Sequence, residues 1–280
     1  MNFSYKCFAI VLCFALLLGG CAADTPGGGD GTRETEKQNA SDNGAQSGSA
    51  IVVPDNVDFA QSDGDMFTDR DLDGSYSDKE CIQIKLEGDS VSCSSDSVKI
   101  NGTEITLTKE AIYCISGTLN NGSIAVSAGD KDMLQIVLNG ASIASADAAP
   151  LCILTADKVI VTLADGTENS LTGGDSYAAV GDIDVDGAVF SKQDLTFNGT
   201  GKLTVSSAAG HGIVCKDDLI FTGGIYEIQS SGHGLDANDS VRIADANITI
   251  DAGKDAIHCE NSDDTAKGFI YISEIGRAHV

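Results

Sequence analysis

The sequence predicts an all-β fold, a parallel β-helix with coils of about 22 residues. Three similar segments return at a spacing of 22 residues: Gly210–Ile213, Gly232–Leu235 and Lys254–Ile257. Short runs of alternating apolar and polar residues lie between them, separated by Gly, Asn and Asp, and no run beyond the N-terminal segment has an apolar period of 3.6 residues. A β-sandwich is the alternative, but it gives no reason for one motif to recur at one fixed offset.

Each coil is expected to contain two or three short strands. Equivalent residues of successive coils then stack about 4.8 Å apart. This spacing predicts two inward-facing apolar ladders, each with one residue per coil. The ladders are Ile213, Leu235 and Ile257, and Leu195, Leu219 and Val241.

The N-terminus has the pattern of an export signal. The apolar run Cys7–Leu18 is too short to cross a membrane, and it leads into Leu-Gly-Gly-Cys21, which resembles the bacterial lipobox. Residues 1–20 are therefore interpreted as a signal peptide, and Cys21 as a lipidated N-terminus. The alternative is an ordinary cleaved signal with an incidental cysteine. Residues 21–50, rich in Gly, Ser and Asp, are then a flexible tether, which predicts a lipid-anchored protein of the cell envelope outside the cytoplasm.

The rest of the chain divides into a cap and a solenoid. Residues 51–86 are expected to form an N-terminal cap region, and residues 87–274 the β-helix. Phe269–Ile272 begins a further coil that is not completed, so we expect the β-helix to be truncated at its C-terminus. Ile275–Val280 matches the translation of a common sequencing adapter, and we expect this tail to be non-native.

Charge and composition narrow the classes of partner. The chain has 42 acidic and 17 basic residues, a formal net charge of −25. This excess argues against nucleic acid, because phosphate binding needs clustered Lys and Arg. It favours divalent cations, which offset the repulsion between carboxylates. Aromatic residues make up only 5% of the chain, so a broad stacking platform for sugars is not expected.

Several separate motifs, in order along the chain, resemble one known family. They are Arg70–Tyr76, Ala111–Leu119, Gln135–Ile143, Ala156–Thr167 and Gly212–Leu219. The family consists of bacterial surface proteins described as carbohydrate-binding domain-containing proteins. The resemblance implies a right-handed parallel β-helix related to family-9 pectate lyases, calcium binding, and association with polygalacturonate and cellulose. It implies binding, and it does not establish an enzyme.

The sequence departs from this family at the repeated motif. Family members commonly have Asp-Asp-Gly where this chain has Gly-His-Gly, at His211 and at His233. In the related lyases, aspartates of such motifs hold calcium. Only Asp236 and Asp255 clearly keep that carboxylate chemistry here.

The 22-residue register predicts one patch of candidate metal ligands. His211, His233 and Asp255 fall in one column, while Asp236 and His258 fall in a second column three residues on. Calcium prefers oxygen ligands, and imidazole suits zinc, copper or nickel. The patch is therefore interpreted as a divalent-metal site, for calcium if the aspartates dominate and for a transition metal if the histidines do. The alternative is a pair of solvated histidines at glycine-rich turns.

Two aspartate-rich segments are further candidates for calcium. The first has the spacing of an EF-hand loop, with an acid at its twelfth position, but a strand follows it instead of a helix, so we interpret it as part of the cap. The second repeats the Asp-x-Asp-x-Asp-Gly pattern in a long loop, where an Asp-rich turn is the alternative. Their candidate ligands are Asp69, Asp71 and Asp73, and Asp182, Asp184 and Asp186.

Lys216 is the candidate for a catalytic base. Lys216 lies beside Asp217 and Asp218, which are also candidate metal ligands, and in a lyase such a base removes the proton next to a uronate carboxylate. A solvated salt-bridge partner is the favoured interpretation of this lysine. The sequence therefore predicts calcium-dependent binding of acidic or plant cell-wall polysaccharide. The alternatives are a pectate-lyase-like enzyme and a structural adhesin without a defined sugar site.

Six cysteines follow the lipobox, and an exported protein can form disulfides. Cys81 and Cys93 flank a hairpin predicted around Glu87–Asp89 and could pair with each other. Most of the others are interpreted as small buried hydrophobic residues.

The lipobox leads to a direct test. Replacing Cys21 with Ser removes the sulfur that would carry the lipid, so the protein should leave the membrane fraction and appear in the soluble extract. Fractionation followed by immunoblotting measures this. Retention of Cys21→Ser in the membrane fraction would rule out the lipid anchor.

Overall fold

The structure is a computed structural model that describes residues 66–273. The predicted signal segment, Cys21, the tether and the C-terminal tail lie outside these residues. Within residues 66–273, no helix reaches the length and apolar character that a membrane span requires.

The described chain is built almost entirely of strands, preceded by one short helix, α1 (Asp69–Leu72). The strands are β1 (Ile82–Gly88), β2 (Val91–Ser92), β3 (Val98–Asn101), β4 (Glu104–Leu107), β5 (Ile112–Leu119), β6 (Ser123–Ser127), β7 (Met133–Ala144), β8 (Leu151–Thr155), β9 (Lys158–Leu163), β10 (Glu168–Gly173), β11 (Gly187–Ser191), β12 (Asp194–Gly199), β13 (Lys202–Ser207), β14 (His211–Cys215), β15 (Asp218–Phe221), β16 (Ile225–Ser230), β17 (Leu235–Ala237), β18 (Ser240–Ile243), β19 (Asn247–Ala252), β20 (Ile257–Cys259) and β21 (Phe269–Ile272).

Successive coils contribute one strand to each of three faces, which confirms the predicted parallel β-helix. The first face contains β8, β11, β14, β17 and β20, the second β9, β12, β15, β18 and β21, and the third β10, β13, β16 and β19. All neighbours within these faces pair in parallel. Strand β7 is 12 residues long and pairs with both β9 and β10, so the second and third faces form one continuous sheet.

The interior is filled by the ladders that the repeat predicts. Ile213 pairs with Leu235, and Leu235 with Ile257, while Leu219 pairs with Leu195 on one side and Val241 on the other. Stacking of aromatic rings extends the same principle, because the rings of Phe197 and Phe221 are parallel with centroids 5.1 Å apart. Each large apolar side chain buried in this way stabilises the fold by about 1.5–3 kcal/mol.

Residues 66–76, which we call the strap, lie lengthwise along the outer side of the second face. At one end the ring of Phe67 contacts that of Tyr271 on β21, and at the other end the Gln135 amide on β7 donates to the Ser75 carbonyl. The strap therefore crosses β7, β9, β12, β15, β18 and β21, which are adjacent strands of one sheet. This part of the predicted N-terminal cap region covers a side of the solenoid instead of its end.

Asp71 fastens the centre of the strap to the β-helix. Its carboxylate is buried and accepts hydrogen bonds from Lys158 Nζ at 2.7 Å and from Thr196 Oγ1 at 2.6 Å. The other carboxylate oxygen accepts from the backbone N–H and the hydroxyl of Thr68, the N-cap residue of α1. Burial raises the pKa of Asp71, but the hydrogen bonds from Lys158, Thr196 and Thr68 outweigh it and hold the pKa below 3.8.

One disulfide differs from the predicted pairing. Cys81 pairs with Cys114, with Cα atoms 5.6 Å apart. The predicted pairing of Cys81 with Cys93 is therefore wrong. The predicted hairpin itself is present, because β1 and β2 pair as antiparallel strands. However, β1 also pairs in parallel with β5, which brings Cys81 beside the next coil, while Cys93 stays a partly buried thiol.

The buried pair of Asp71 and Lys158 gives a stability prediction. Asp71→Ala leaves the Lys158 ammonium buried without its counter-charge, so the free energy of unfolding should fall by about 3–5 kcal/mol. Denaturation in urea measures the loss. Asp69→Ala, in the exposed neighbouring position of α1, is the control and should change little.

The same pair predicts a pH dependence. The folded-state pKa of Asp71 is lower than the unfolded-state pKa of 3.8. The ionised carboxylate therefore contributes to the free energy of unfolding above pH 3.8, and this contribution is lost as the pH falls through the folded-state pKa. Equal unfolding free energies for the wild type and Asp71→Ala at neutral pH would contradict this account of the strap.

Candidate functional site

Three imidazole rings stack on the outer side of the first face. The rings of His211 and His233 are parallel with centroids 5.0 Å apart, and His258 stacks on His233 at 4.5 Å. The underlying register is the predicted one, because Val214 pairs with Asp236 and Asp236 pairs with His258. The two columns therefore lie side by side on this face, and metal binding by them stays a prediction.

Glycines allow the backbone to pass closely at this patch. Gly210, just before His211, has a φ of 125°, a conformation that L-residues with a side chain rarely adopt. A Cβ atom on Gly212 would lie 2.6 Å from the Gly234 carbonyl oxygen, and one on Gly234 would lie 2.6 Å from the Ala256 carbonyl oxygen. The Gly-His-Gly motif therefore recurs because each coil packs tightly against the next one at this turn.

Backbone hydrogen bonds determine which ring nitrogen of His211 and of His233 carries the proton. The N–H of His233 donates to Nδ1 of His211 at 2.9 Å, and the N–H of Asp255 donates to Nδ1 of His233 at 3.2 Å. Each acceptor nitrogen is therefore unprotonated, and the proton of the neutral ring is on Nε2. Burial lowers the pKa of His211 and outweighs the nearby charges of Asp236 and Asp186, so this ring is neutral at physiological pH.

Asp255 approaches two neighbouring imidazoles of the stack, those of His233 and His258. Its Oδ2 lies 3.3 Å from Nδ1 of His233 and 3.7 Å from Nδ1 of His258. On its other side, Nε2 of His258 lies 3.7 Å from a carboxylate oxygen of Glu260. Within residues 66–273, these three, His233, Asp255 and His258, are the one group of His, Cys, Asp or Glu residues whose ligand atoms all approach within 4.8 Å.

The patch lies where an apolar cover ends. Along one outer column of the first face, Cys152, Phe190 and Val214 are buried beneath the loop 174–186, whose Tyr177 and Val185 pack on them. The next members of this column, Asp236 and His258, are half-buried and do not belong to this apolar cluster of the described residues. The change from apolar to polar residues thus marks where the outer face becomes accessible.

The loop also contributes Asp186 to the patch. Its Oδ2 lies 3.9 Å from Nε2 of His211, and its Oδ1 is buried with no hydrogen-bond partner among the described residues. Asp182 and Asp184 are exposed on the same loop, and the three carboxylates do not form a ligand cluster within the described chain. Calcium binding by Asp182 and Asp184 stays a prediction.

The aspartates of the strap have other partners. Asp71 was predicted as a calcium ligand, but its two oxygens accept four hydrogen bonds in this structure, so the described contacts give this role no support and it stays a prediction. Asp73 accepts from the backbone N–H of Ser75 at 2.9 Å, and Asp69 is exposed in the first turn of α1. A helical turn thus replaces the loop that the EF-hand spacing requires.

Carboxylates stack at the corner that follows the first face. Asp217 and Asp239 occupy equivalent positions in successive coils, and Asn261 donates to Asp239 at 3.0 Å from the next coil. Burial raises the pKa of Asp217, and the hydrogen bond and negative charge of Asp239 raise it further, to about 7. Asp239 in turn pairs with Lys267, which helps to hold its own pKa low.

Asp218 and Lys216, also singled out in the sequence, have structural partners. The Asp218 carboxylate accepts from Arg242 Nη2 at 2.7 Å and from Ser240 Oγ at 2.6 Å. The Lys216 ammonium lies 6.0 Å from the centroid of the Phe190 ring, at the edge of the covered column. Within residues 66–273, none of the ion pairs includes Lys216, so its contact is with an aromatic ring instead of the expected carboxylate.

An open polar groove of about 310 Å³ adjoins the imidazoles. Of its lining residues, His258 is the one with a ring, and three others are acidic. The groove is lined by Asp236, Ala237, Asn238, His258, Glu260, Asn261, Ser262 and Asp263. Sequence reasoning did not single out Glu260, Asn261 and Asp263 as site residues, although the 22-residue spacing places Asn261 after Asp217 and Asp239.

Comparison with known proteins places this β-helix in a family. Residues 101–279 match the family described as carbohydrate-binding domain-containing protein, which is more than half of the chain. The protein belongs to the carbohydrate-binding domain-containing protein family. The resemblance that the sequence motifs indicated is confirmed.

Two relatives show how far the similarity extends. A carbohydrate-binding domain-containing protein of Acetivibrio thermocellus is 35% identical over 151 residues, which are 53% of this chain and 53% of the relative. This chain therefore matches about half the length of that curated relative. A solved structure of a polysaccharide lyase-like protein from C. thermocellum, a gadolinium derivative, is similar with a TM-score of 0.66 at 35% identity, over 69% of this chain and 79% of that one.

The carboxylate pair of this family member gives a test of the site electrostatics. The folded-state pKa of Asp217 lies above the unfolded-state value of 3.8, so the folded protein binds the Asp217 proton more tightly than the unfolded chain does. The contribution of this proton to the free energy of unfolding therefore declines as the pH rises toward about 7. Asp217→Asn should therefore gain stability relative to the wild type by about 1–2 kcal/mol between about pH 5 and about pH 8.5, allowing for solvent screening.

Chemical denaturation at both pH values, in the presence of a chelator, measures this difference. The exposed Asp251→Asn on β19 removes the same charge from another face and is the control. The same pH dependence in the wild type and in Asp217→Asn would contradict the raised pKa.

Proposed function

We propose that this protein binds an acidic polysaccharide of the polygalacturonate type in the cell envelope, with calcium as a bridge, and that lipid on Cys21 anchors it to the membrane. The observation that carries this proposal is the polar groove beside the imidazole patch, because carboxylates and amides line it and apolar side chains are almost absent. Membership of a carbohydrate-binding family and similarity to a polysaccharide lyase-like protein support a sugar chain as the ligand.

A cation is needed because the groove and a polyuronate chain are both negatively charged. The groove contains Asp236, Glu260 and Asp263, and the whole chain has a formal net charge of −25. A polyuronate chain would be repelled by these carboxylates. Calcium coordinates six to eight oxygen atoms, so one ion can take ligands from the protein and from the sugar together.

The composition of the groove also favours an acidic sugar over cellulose. Flat glucan chains are held by rows of aromatic rings, and the groove lining contains no Phe, Tyr or Trp. Exposed amide and carboxylate groups such as Asn238 and Glu260 suit hydroxyl and carboxylate ligands instead.

A lyase activity would need a base beside the bound uronate. Lys216 was the candidate, but its ammonium lies 6.0 Å from the centroid of the Phe190 ring, at the edge of the covered column, and Lys216 does not line the groove. The groove therefore favours binding over elimination. Following unsaturated product by its absorbance, during incubation with polygalacturonate and calcium, distinguishes the two, because binding alone forms none.

Affinity electrophoresis tests the binding proposal. The protein should be retarded in gels that contain polygalacturonate and calcium, and the retardation should disappear with a chelator, since the bridging ion is removed. The double variant Glu260→Gln/Asp263→Asn should lose most of the retardation, because it removes two carboxylates of the groove.

Asp251→Asn, on a different face, is the matched control and should migrate like the wild type. Retardation that persists in the chelator would exclude calcium as the bridge. The absence of retardation with polygalacturonate under both conditions would exclude the acidic polysaccharide and leave the adhesin as the better account.

A further inference from the structure

We propose that His233, Asp255 and His258 form a binding site for a divalent transition-metal ion, of which Zn²⁺ best fits the donor atoms. This site would be chemically distinct from the oxygen ligands proposed for calcium in the groove. The inference rests on the imidazole side of the patch and holds whether or not the groove binds a polysaccharide.

The distances between donor atoms match a tetrahedral ion. With metal–ligand bonds of 2.0–2.1 Å, neighbouring ligand atoms of a tetrahedral site lie about 3.4 Å apart. Oδ2 of Asp255 lies 3.3 Å from Nδ1 of His233 and 3.7 Å from Nδ1 of His258. Both edges that include the carboxylate thus have nearly the required length without any movement of the backbone.

The third edge needs one side-chain rotation. The rings of His233 and His258 are stacked at 17° to each other, so their in-plane lone pairs do not yet converge on one point. His258 is 34% exposed on β20, at the edge of the groove, and its ring can turn about the Cβ–Cγ bond. The N–H of Asp255, which donates to His233 at 3.2 Å from an exposed turn, can bond to water when the ion takes that lone pair.

His211 positions this site instead of binding the ion. Its Nδ1 lone pair accepts the N–H of His233 at 2.9 Å, so it is not available to a metal. Its ring supports that of His233 from the opposite side, with centroids 5.0 Å apart. The patch predicted from the sequence therefore divides into a supporting part, His211 with Asp186, and a donor part.

The donor set selects the class of ion. Two of three donors are imidazole nitrogens, which suit zinc, copper and nickel, whereas calcium requires six to eight oxygens. The surrounding carboxylates of Asp236 and Glu260 favour a cation electrostatically. The fourth position would open toward the groove, since His258 belongs to both the triad and the groove lining.

Isothermal titration of the full chain with ZnCl₂, after treatment with a chelator, tests the proposal. We expect about one Zn²⁺ per chain and a melting temperature that rises with Zn²⁺ concentration. His258→Gln should weaken binding by at least about 10-fold, because it removes a direct ligand. Its metal-free melting curve, compared with that of the wild type, shows that the exposed substitution leaves the fold intact.

Asp251→Asn, which removes an exposed carboxylate from β19 on another face of the β-helix, is the control, because this residue neither binds nor positions the ion. The affinity of this variant for Zn²⁺ should stay within a few-fold of the wild type. Equal losses in both variants, unchanged binding in His258→Gln, or full displacement of Zn²⁺ by a modest excess of Ca²⁺ would each overturn the assignment. A visible spectrum of tetrahedral Co²⁺ in the wild type, absent in His258→Gln, would support it.

Discussion

Backbone pairing between equivalent residues of successive coils is the constraint on which the rest of the molecule depends. It turns a spacing of 22 residues along the chain into side chains that lie one above the other in space. Apolar columns facing inward become the core, and an imidazole column facing outward becomes the patch. The same pairing forces the carboxylates of Asp217 and Asp239 together, and burial together with this neighbour raises the pKa of Asp217 to about 7. A shift of one residue would send each column to the opposite side of its sheet.

Contacts between equivalent residues of successive coils could be predicted from the sequence, because the 22-residue spacing defines which residues stack. The ladders through Ile213 and Leu219 and the convergence of His233 with His258 are of this kind. Contacts from segments that do not repeat could not be found in this way. Asp71 has the sequence spacing of a calcium ligand, but its ammonium partner is 87 residues away on β9. Cys81 is a second example, because its disulfide partner Cys114 lies 33 residues away on the parallel strand β5 and not in the hairpin.

The outer face offers two kinds of donor side by side. Oxygen atoms from Glu260 and Asn261 line the groove, while nitrogen atoms from His233 and His258 lie at its edge. Hard and borderline cations prefer these two environments respectively. The family resemblance implies aspartates at the positions where this chain has His211 and His233. A β-helix can exchange one donor type for the other without disturbing its core, because these residues are on the outside of the coil.

The strap limits how such a protein can change in size during evolution. In a solenoid that contacts only its neighbours, a coil can be duplicated or deleted with little effect on the others. Here the strap, residues 66–76, is attached at three points. Phe67 contacts Tyr271 of β21 at one end, Ser75 accepts a hydrogen bond from Gln135 of β7 at the other, and Asp71 pairs with Lys158 at the centre. A coil inserted between these points would lengthen the face by about 4.8 Å and separate the strap from its anchors. The strap therefore fixes how many coils this β-helix can have between β7 and β21.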